Sequence, residues 1–280
     1  MKDRICIVTG ANRGLGLATA RGLAALGARV ILTARDKERG EAALSAIRSA
    51  VEDAAVELLP LDLSSQQSVR EMAGAFADRY DRLDVLINNA GVFTAKRTLT
   101  AEGLELMFAT NHLGPFLLTN LLLDHLKATE GQTSAAGARI LTVTAPSTTK
   151  LDFEDLQSEK RFQAWAAFGA SKMGNLLFTY ELARRLEGTG VTANAIHPGL
   201  MRSDLMREAP APLRWLLHLL SAPPEKAADT PVYLASSPEV AGVSGKFFKN
   251  RRPVASAPYS HDRDAQRRLW EASAALTGIG

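Results

Sequence analysis

Thr9-Gly10-Ala11-Asn12-Arg13-Gly14-Leu15-Gly16 is the stretch that decides the fold. It follows an apolar run, Ile5 to Val8, and leads into a helical stripe that opens at Gly14. Glycines placed there permit a tight turn and a close approach of the backbone to a ligand. The free amides and positive end of the helix attract a pyrophosphate. Three residues separate the first two glycines, unlike G-x-G-x-x-G. An ordinary strand-to-helix turn also uses glycine, but the position after the first strand of an alternating pattern favours nucleotide binding.

Outward from this turn the apolar period switches repeatedly between two and 3.6, the alternation that builds a parallel sheet with helices on both faces. Strands are expected at Ile5 to Thr9, Arg29 to Thr33, Val56 to Pro60, Val85 to Asn88, Arg139 to Thr144, Thr192 to Ile196 and Gly245 to Phe248. Helices are expected at Gly14 to Leu26, Lys37 to Val51, Ser65 to Tyr80, Thr100 to Lys127, Trp165 to Glu187, Pro224 to Ala235 and Arg263 to Leu276. The fold class is α/β, a Rossmann-type doubly wound parallel sheet of about seven strands in a single nucleotide-binding domain over residues 1–280. Long irregular stretches at Pro146 to Gln163, Leu200 to Pro223 and Lys249 to Asp262 mark functional loops. Residues 200–223, with Trp215 in an apolar run flanked by prolines, read as a substrate lid or a partner-contact helix, and 249–280 as a C-terminal extension.

The chain has 280 residues, is 46% hydrophobic and carries a net charge of +3 from 33 basic and 30 acidic residues. With no long basic run and little aromatic interleaving, a nucleic-acid partner is not expected. Cys6, the single cysteine, lies in an apolar strand and suits a small core residue, so neither an internal disulfide nor a metal site is expected. The first strand begins too early for a signal peptide, and no apolar stretch reaches the roughly eighteen residues of a membrane span. A cytoplasmic protein with no membrane partner is the expectation.

The end of the second strand holds the group that meets the adenosine ribose, where an acid would hydrogen-bond a 2′-hydroxyl and repel a 2′-phosphate. Here Ala34 and Arg35 stand in that place and Arg13 lies in the glycine turn. Two guanidiniums favour NADP(H) over NAD(H), with Asp36 one residue later as the opposing signal.

The runs TGANRGLG at 9–16, LDLSS at 61–65, INNAG at 87–91, TNHLG at 110–114, FGASK at 168–172 and HPG at 197–199 resemble the short-chain dehydrogenase/reductase family, most of all its retinol dehydrogenase-like branch. The resemblance covers nearly the whole chain. It implies that Gly10, Asn12, Arg13, Gly14, Leu15 and Gly16 hold the pyrophosphate side, that Asp62 and Leu63 meet the adenine, and that Asn89, Ala90 and Gly91 line the adenosine side. It also implies that Pro198, Gly199, Leu200 and Ser203 hold the nicotinamide and Lys172 its ribose. Asp62 taken alone would serve equally as a helix cap before Ser65.

In the family a serine, a tyrosine and a lysine act with an asparagine that positions a water. Hydride delivery to a carbonyl leaves an alkoxide that must be stabilised and protonated as it forms. Asn111 matches the asparagine and Lys172 the lysine, whereas Ala145 and Phe168 stand at the serine and tyrosine positions. Removing a general acid costs about 10²–10⁴ in rate and removing an oxyanion donor about 10²–10³. Ordinary carbonyl reduction is therefore expected to be severely impaired, and Lys172 and Asn111 equally suit cofactor geometry and packing alone.

Ser147, two residues beyond Ala145, is the remaining catalytic candidate and suits orienting a carbonyl better than protonating one; Thr144 faces away by strand alternation. His112, His197 and His218 are not paired at metal-ligand spacing and read as structural. Trp165 fits either the pocket mouth or simple packing.

These residues point to an NADP-dependent oxidoreductase with an atypical site, acting on an apolar small molecule such as an imine or conjugated acceptor. The alternatives are a catalytically inactive NADP-binding sensor or scaffold, or a non-redox enzyme using the same pocket. By resemblance, a homodimer or homotetramer would form through the helices at Thr100 to Lys127 and Trp165 to Glu187.

Overall fold

The computed structural model describes residues 1–129, 137–199 and 223–279. Its strands are β1 (Ile5–Val8), β2 (Arg29–Ala34), β3 (Val56–Pro60), β4 (Val85–Asn88), β5 (Arg139–Val143), β6 (Thr192–His197), β7 (Phe247–Lys249) and β8 (Arg252–Val254). They form one sheet in the order β3-β2-β1-β4-β5-β6-β7-β8, parallel except for the β7–β8 pair. The chain runs from β1 to β3 in one direction and from β4 onward in the other. That reversal opens a crevice beyond the carboxyl ends of β1 and β4, the usual ligand position in such sheets.

The helices are α1 (Gly14–Ala25), α2 (Lys37–Ala50), α3 (Gln66–Ala77), α4 (Leu106–Phe108), α5 (Gly114–Leu121), α6 (Leu123–Lys127), α7 (Ala164–Arg185), α8 (Pro224–Ala227), α9 (Asp229–Ser236) and α10 (Arg263–Thr277). Successive strand residues supply opposite faces of the sheet. Cys6 and Val8 pack into the layer of α1 and α2 with Val30, Leu32, Val85 and Ile87. Ile7 packs into the layer of α3, α5 and α7 with Ile31, Leu86 and Ile140. Helices on both faces explain why the central strands are unbroken apolar runs.

Three local expectations are corrected. The sheet has eight strands rather than about seven, because Arg252–Val254 adds an antiparallel edge. A segment centred on Pro253 carries no strand signal, and proline is tolerated on an edge. The helix expected over Thr100 to Lys127 begins only at Leu106, where the Glu105 carboxylate accepts from Met107 and Phe108 N–H groups at 3.0 and 2.7 Å. It then passes through a π-helical turn, Ala109–Leu113, and breaks again at Leu122. The helix expected over Pro224 to Ala235 is two pieces separated at Ala228, since Pro231 has no N–H to continue the ladder.

Candidate functional site

The crevice is pinned by Thr9. Its Oγ1 accepts from the N–H groups of Asn89 at 2.9 Å and Ala90 at 3.1 Å, while Asn89 Nδ2 donates to the Thr9 carbonyl at 2.7 Å. The glycine turn and the β4 end are thereby one rigid wall. Gly16 tolerates no side chain: a Cβ there would stand 2.5 Å from the Gly10 carbonyl and 2.6 Å from Asn89 Nδ2. Gly10, at φ +63°, lies equally close, its imagined Cβ 2.9 Å from that of Ala90. Gly14 faces open space at φ +54°, and Leu15 is buried in the core. A backbone cradle at a helix N-terminus, open where Gly14 stands, fits a pyrophosphate. Asn12 is half-buried on the same turn.

Arg13 and Arg35 are both exposed. Asp36, the opposing signal for the ribose, is turned elsewhere. Its carboxylate caps α2, accepting from the Arg39 N–H at 3.1 Å and pairing with the Arg39 guanidinium at 3.3 Å. Asp62 is fixed by its loop, Oδ1 accepting from the Ser64 N–H at 2.9 Å and hydroxyl at 2.6 Å. The cap of α3 is Ser65, not Asp62. Leu63 is buried, and Gly114 packs its backbone against the Leu63 carbonyl.

The opposite wall comes from α7 and the π-helical turn. Asn111 Oδ1 accepts from the Val92 N–H at 2.7 Å, and Nδ2 donates both to the Val92 carbonyl at 3.0 Å and to Ser171 Oγ at 3.0 Å. Both amide protons are committed, which ties the segment following Gly91 to α7 and leaves lone-pair capacity on Oδ1. A Cβ on Gly91 would stand 3.3 Å from both Asn111 Oδ1 and Lys172 Nζ, so a glycine keeps this corner of the crevice open.

Lys172 is 6% exposed, and burial pulls its ammonium down to about 8. It forms no ion pair with a carboxylate among the described residues; its Nζ lies 5.4 Å from the centroid of the Phe168 ring, one helical turn earlier. Phe168 is 9% exposed and packs with Phe93, Met107 and Ala167, and its ring stands edge-on to Phe93 at 5.7 Å. Phe93 in turn packs against Trp165 at 4.9 Å, and Trp165 is 55% exposed, which puts it at the rim rather than in the core. The residue positions that the resemblance assigns to two hydroxyls thus hold a half-buried alanine, Ala145, and an aromatic ring over a buried cation.

Ser147 donates to the Gly169 carbonyl at 2.8 Å and accepts from the Thr149 N–H at 3.2 Å. Thr144 donates to the Lys172 carbonyl at 2.8 Å. Both hydroxyls thus brace the end of β5 against α7. His112 is buried, bonded through Nε2 to Ser273 Oγ at 2.8 Å, and held down to about 4 by desolvation. His197 ends β6, where burial and nearby Lys249 lower it, and Pro198 and Gly199 follow at the crevice side. Leu200, Ser203, His218 and nearly all of the expected lid lie outside the described residues. Among those described, no cluster of three or more His, Cys, Asp or Glu could hold a metal, and no helix is long and apolar enough to cross a membrane.

Sequence reasoning missed Phe93, Met107 and Phe162 as neighbours of Phe168, and Val92 and Ser171 as partners of Asn111. Phe93 stands two residues past Gly91, so an aromatic residue just past a ligand-lining strand end was the available signal.

The short chain dehydrogenase family model matches residues 4–213. Retinol dehydrogenase 14 of Mus musculus is 42% identical over 297 aligned positions, which span 100% of this chain and 87% of that protein. Retinol dehydrogenase 13 of Homo sapiens is 43% identical over 287 positions, spanning 98% of this chain and 84% of that protein. Among solved structures, an uncharacterized protein from Mycobacterium paratuberculosis superposes with a TM-score of 0.79 at 35% identity, over 99% of this chain and 94% of that one. The Pseudomonas aeruginosa RhlG/NADP active-site complex superposes with a TM-score of 0.71 at 27% identity, over 93% and 97%.

Proposed function

The chain belongs to the short-chain dehydrogenase family, and from that premise we propose that it is an NADP(H)-dependent oxidoreductase acting on an apolar, conjugated carbonyl acceptor without help from an enzyme phenol. The observation that carries this reading is the Phe168 ring lying 5.4 Å from the buried Lys172 ammonium. Carbon stands where a proton donor would be needed for a plain ketone.

Bound in the crevice, the reduced nicotinamide supplies a hydride. The glycine turn at Gly10, Gly14 and Gly16 would hold the pyrophosphate, Asp62 and Leu63 the adenine and Asn89 to Gly91 the adenosine side, and Lys172, Pro198 and Gly199 would orient the nicotinamide end. Arg13 and Arg35 offer guanidiniums to a 2′-phosphate, and the commitment of Asp36 to its helix cap removes the competing acid. Solved relatives in complex with NADP, RhlG and a metagenomic short-chain oxidoreductase, support that choice.

Hydride delivered to the β-carbon of a conjugated carbonyl leaves an enolate whose charge is shared by oxygen and the α-carbon, and that carbon then takes its proton from solvent, so less depends on a donor placed at one oxygen. Phe93, Phe168 and Trp165 exclude water and offer apolar ring surface. The Lys172 ammonium favours developing negative charge nearby and would repel an acceptor that is itself a cation. A neutral conjugated carbonyl therefore suits the site better than an iminium. The curated relatives are named for retinol, an apolar molecule.

The experiment is titration with NADPH and with NADH, followed by an acceptor panel of enals, enones, iminium ions and saturated aldehydes. NADPH binding tighter than NADH, with turnover concentrated on the conjugated carbonyls, is expected. Bound NADPH with no turnover on any acceptor would replace this reading by that of a catalytically inactive NADP-binding sensor.

A further inference from the structure

Helix α10 lies along α7 and also touches α5 and the π-helical turn. Its apolar stripe is deeply covered. Leu269 is buried among Leu113, Met173 and Leu176, and the Trp270 ring stands edge-on to Phe116 at 5.0 Å and stacks with Phe178 at 5.9 Å. The Arg185 guanidinium lies 4.2 Å from the centroid of that indole.

Polar contacts fix the helix in position and register. Asp262 caps its start, accepting from the Asp264 and Ala265 N–H groups at 3.0 and 3.1 Å. In the first turn, Arg184 donates to the side chain of Gln266, whose Nε2 donates to the Ser260 carbonyl at 2.6 Å. Ser273 meets His112 Nε2 at 2.8 Å, on the very turn that carries Asn111. At the far end, Gln66 and Arg70 of α3 donate to the Leu276 and Thr277 carbonyls at 2.9 and 2.6 Å. Gly278, at φ +62°, lets the Ile279 N–H close the terminus on the Ala274 carbonyl at 3.0 Å.

An apolar strip of phenylalanines and leucines on two adjacent helices is the kind of face that a second copy of a chain covers. We propose that α10 takes that place in cis, so that no homodimer forms through α5 and α7. The physical basis is concentration. A helix tethered by the few residues between β8 and Arg263 reaches the face at an effective concentration of roughly millimolar, against roughly micromolar for a second chain. The occupant is also shaped to the site, with bonds to α3, α7 and the π-helical turn that a generic apolar helix would not make. The association expected through Thr100 to Lys127 and Trp165 to Glu187 is thereby blocked on this face. The β8 edge offers no easy substitute, since Pro253 cannot donate to a further strand and Arg252 is exposed.

Light scattering on the full chain, together with hydrogen exchange at about 1 and 100 μM protein, tests this. A monomer whose α5, α7 and α10 amides exchange equally slowly at both concentrations is expected. An oligomer whose dissociation leaves those three segments equally protected places its contact elsewhere and agrees with the proposal. An oligomer in which α5 and α7 lose protection on dilution would overturn it. A second arm uses Leu269→Ala combined with Trp270→Ala, which loosens α10. Concentration-dependent self-association with faster exchange in α5 and α7 supports the proposal; unchanged mass, melting temperature and exchange would oppose it, and if this variant does not fold, the wild-type exchange comparison decides.

Discussion

The β1–α1 turn and the β5–α7 connection are built alike, each leaving the carboxyl end of a central strand and entering a helix, yet they tolerate change in opposite ways. The first works through backbone. Its glycines lie within touching distance of Asn89 and Ala90, so the sequence there is held by space and by φ. The second works through side-chain atoms that project from a scaffold already secured by other contacts. Thr144 and Ser147 brace β5 to α7, and Asn111 joins α7 to the segment at Val92. Ala145 and Phe168 sit within that frame without disturbing it. The side chains at positions 145 and 168 can therefore vary while the glycine cradle is kept, because the two rest on different atoms.

The largest effect should come from restoring oxygen on the reaction side. Ala145→Ser combined with Phe168→Tyr is expected to raise reduction of saturated aldehydes by about 10²–10⁴, read as NADPH consumption, with cofactor affinity little changed. No gain from the double variant would mean that the two halves differ in more than these atoms.

On the backbone side, Gly16→Ala drives a Cβ to 2.5 Å from the Gly10 carbonyl. The expected cost is about 1–3 kcal/mol of stability by denaturant titration, with nucleotide affinity falling at least tenfold. Wild-type affinity in this variant would show that the cradle is softer than its geometry.

Cofactor choice is a smaller matter, since it rests on an exposed group. Arg35→Asp should lower the ratio of NADPH to NADH affinity by about tenfold, corresponding to one charge-assisted contact of about 1.5 kcal/mol. An unchanged ratio would shift the burden to Arg13.

The smallest expected effect is on pH dependence, and it too separates the regions. His112, lowered from 6.5 to about 4, is neutral in the folded state. The unfolded chain binds the proton first, so this contribution is present above pH 6.5 and is lost as pH falls through about 4. Lys172, lowered from 10.5 to about 8, acts in a different window: its contribution is fully present above pH 10.5 and is lost as pH falls through about 8. The contribution of each group should rise with pH across its own window, read as the difference in denaturant midpoint between wild type and a variant, because the buried Cys6 thiol, raised from 9.0, acts in the opposite direction at alkaline pH. Ser273→Ala would alter the acid window alone, and Lys172→Met the alkaline one.

Much of the fold was legible because it depends on periodicity. Ile5 to Val8, Val85 to Asn88 and the helix from Gly14 announce themselves by apolar period and by glycine. β8 did not, because an edge strand needs hydrogen bonds on one side only and Pro253 satisfies that silently. The break of the expected Thr100 to Lys127 helix was equally hidden. The π-helical turn within it lies where Gly114 fits against Leu63 and Asn111 clasps Val92, both contacts between residues far apart in the chain. In the site, Lys172 and Asn111 were visible as types and positions, but their partners were not. Nothing local to Phe168 says that Phe93 and Trp165 will stand beside it.

By itself the sequence determined the alternation of strands and helices, the glycine cradle and the side chains offered at positions 145 and 168, since each follows from the identity of residues or their neighbours along the chain. Only the tertiary structure decided that Asp36 is spent on capping α2, that Lys172 lies buried against a ring without a described counter-ion, and that α10 covers α5 and α7. The reason is that charge, hydration and exposure belong to a place rather than to a residue, and the place is made when segments distant in the chain come together and exclude water.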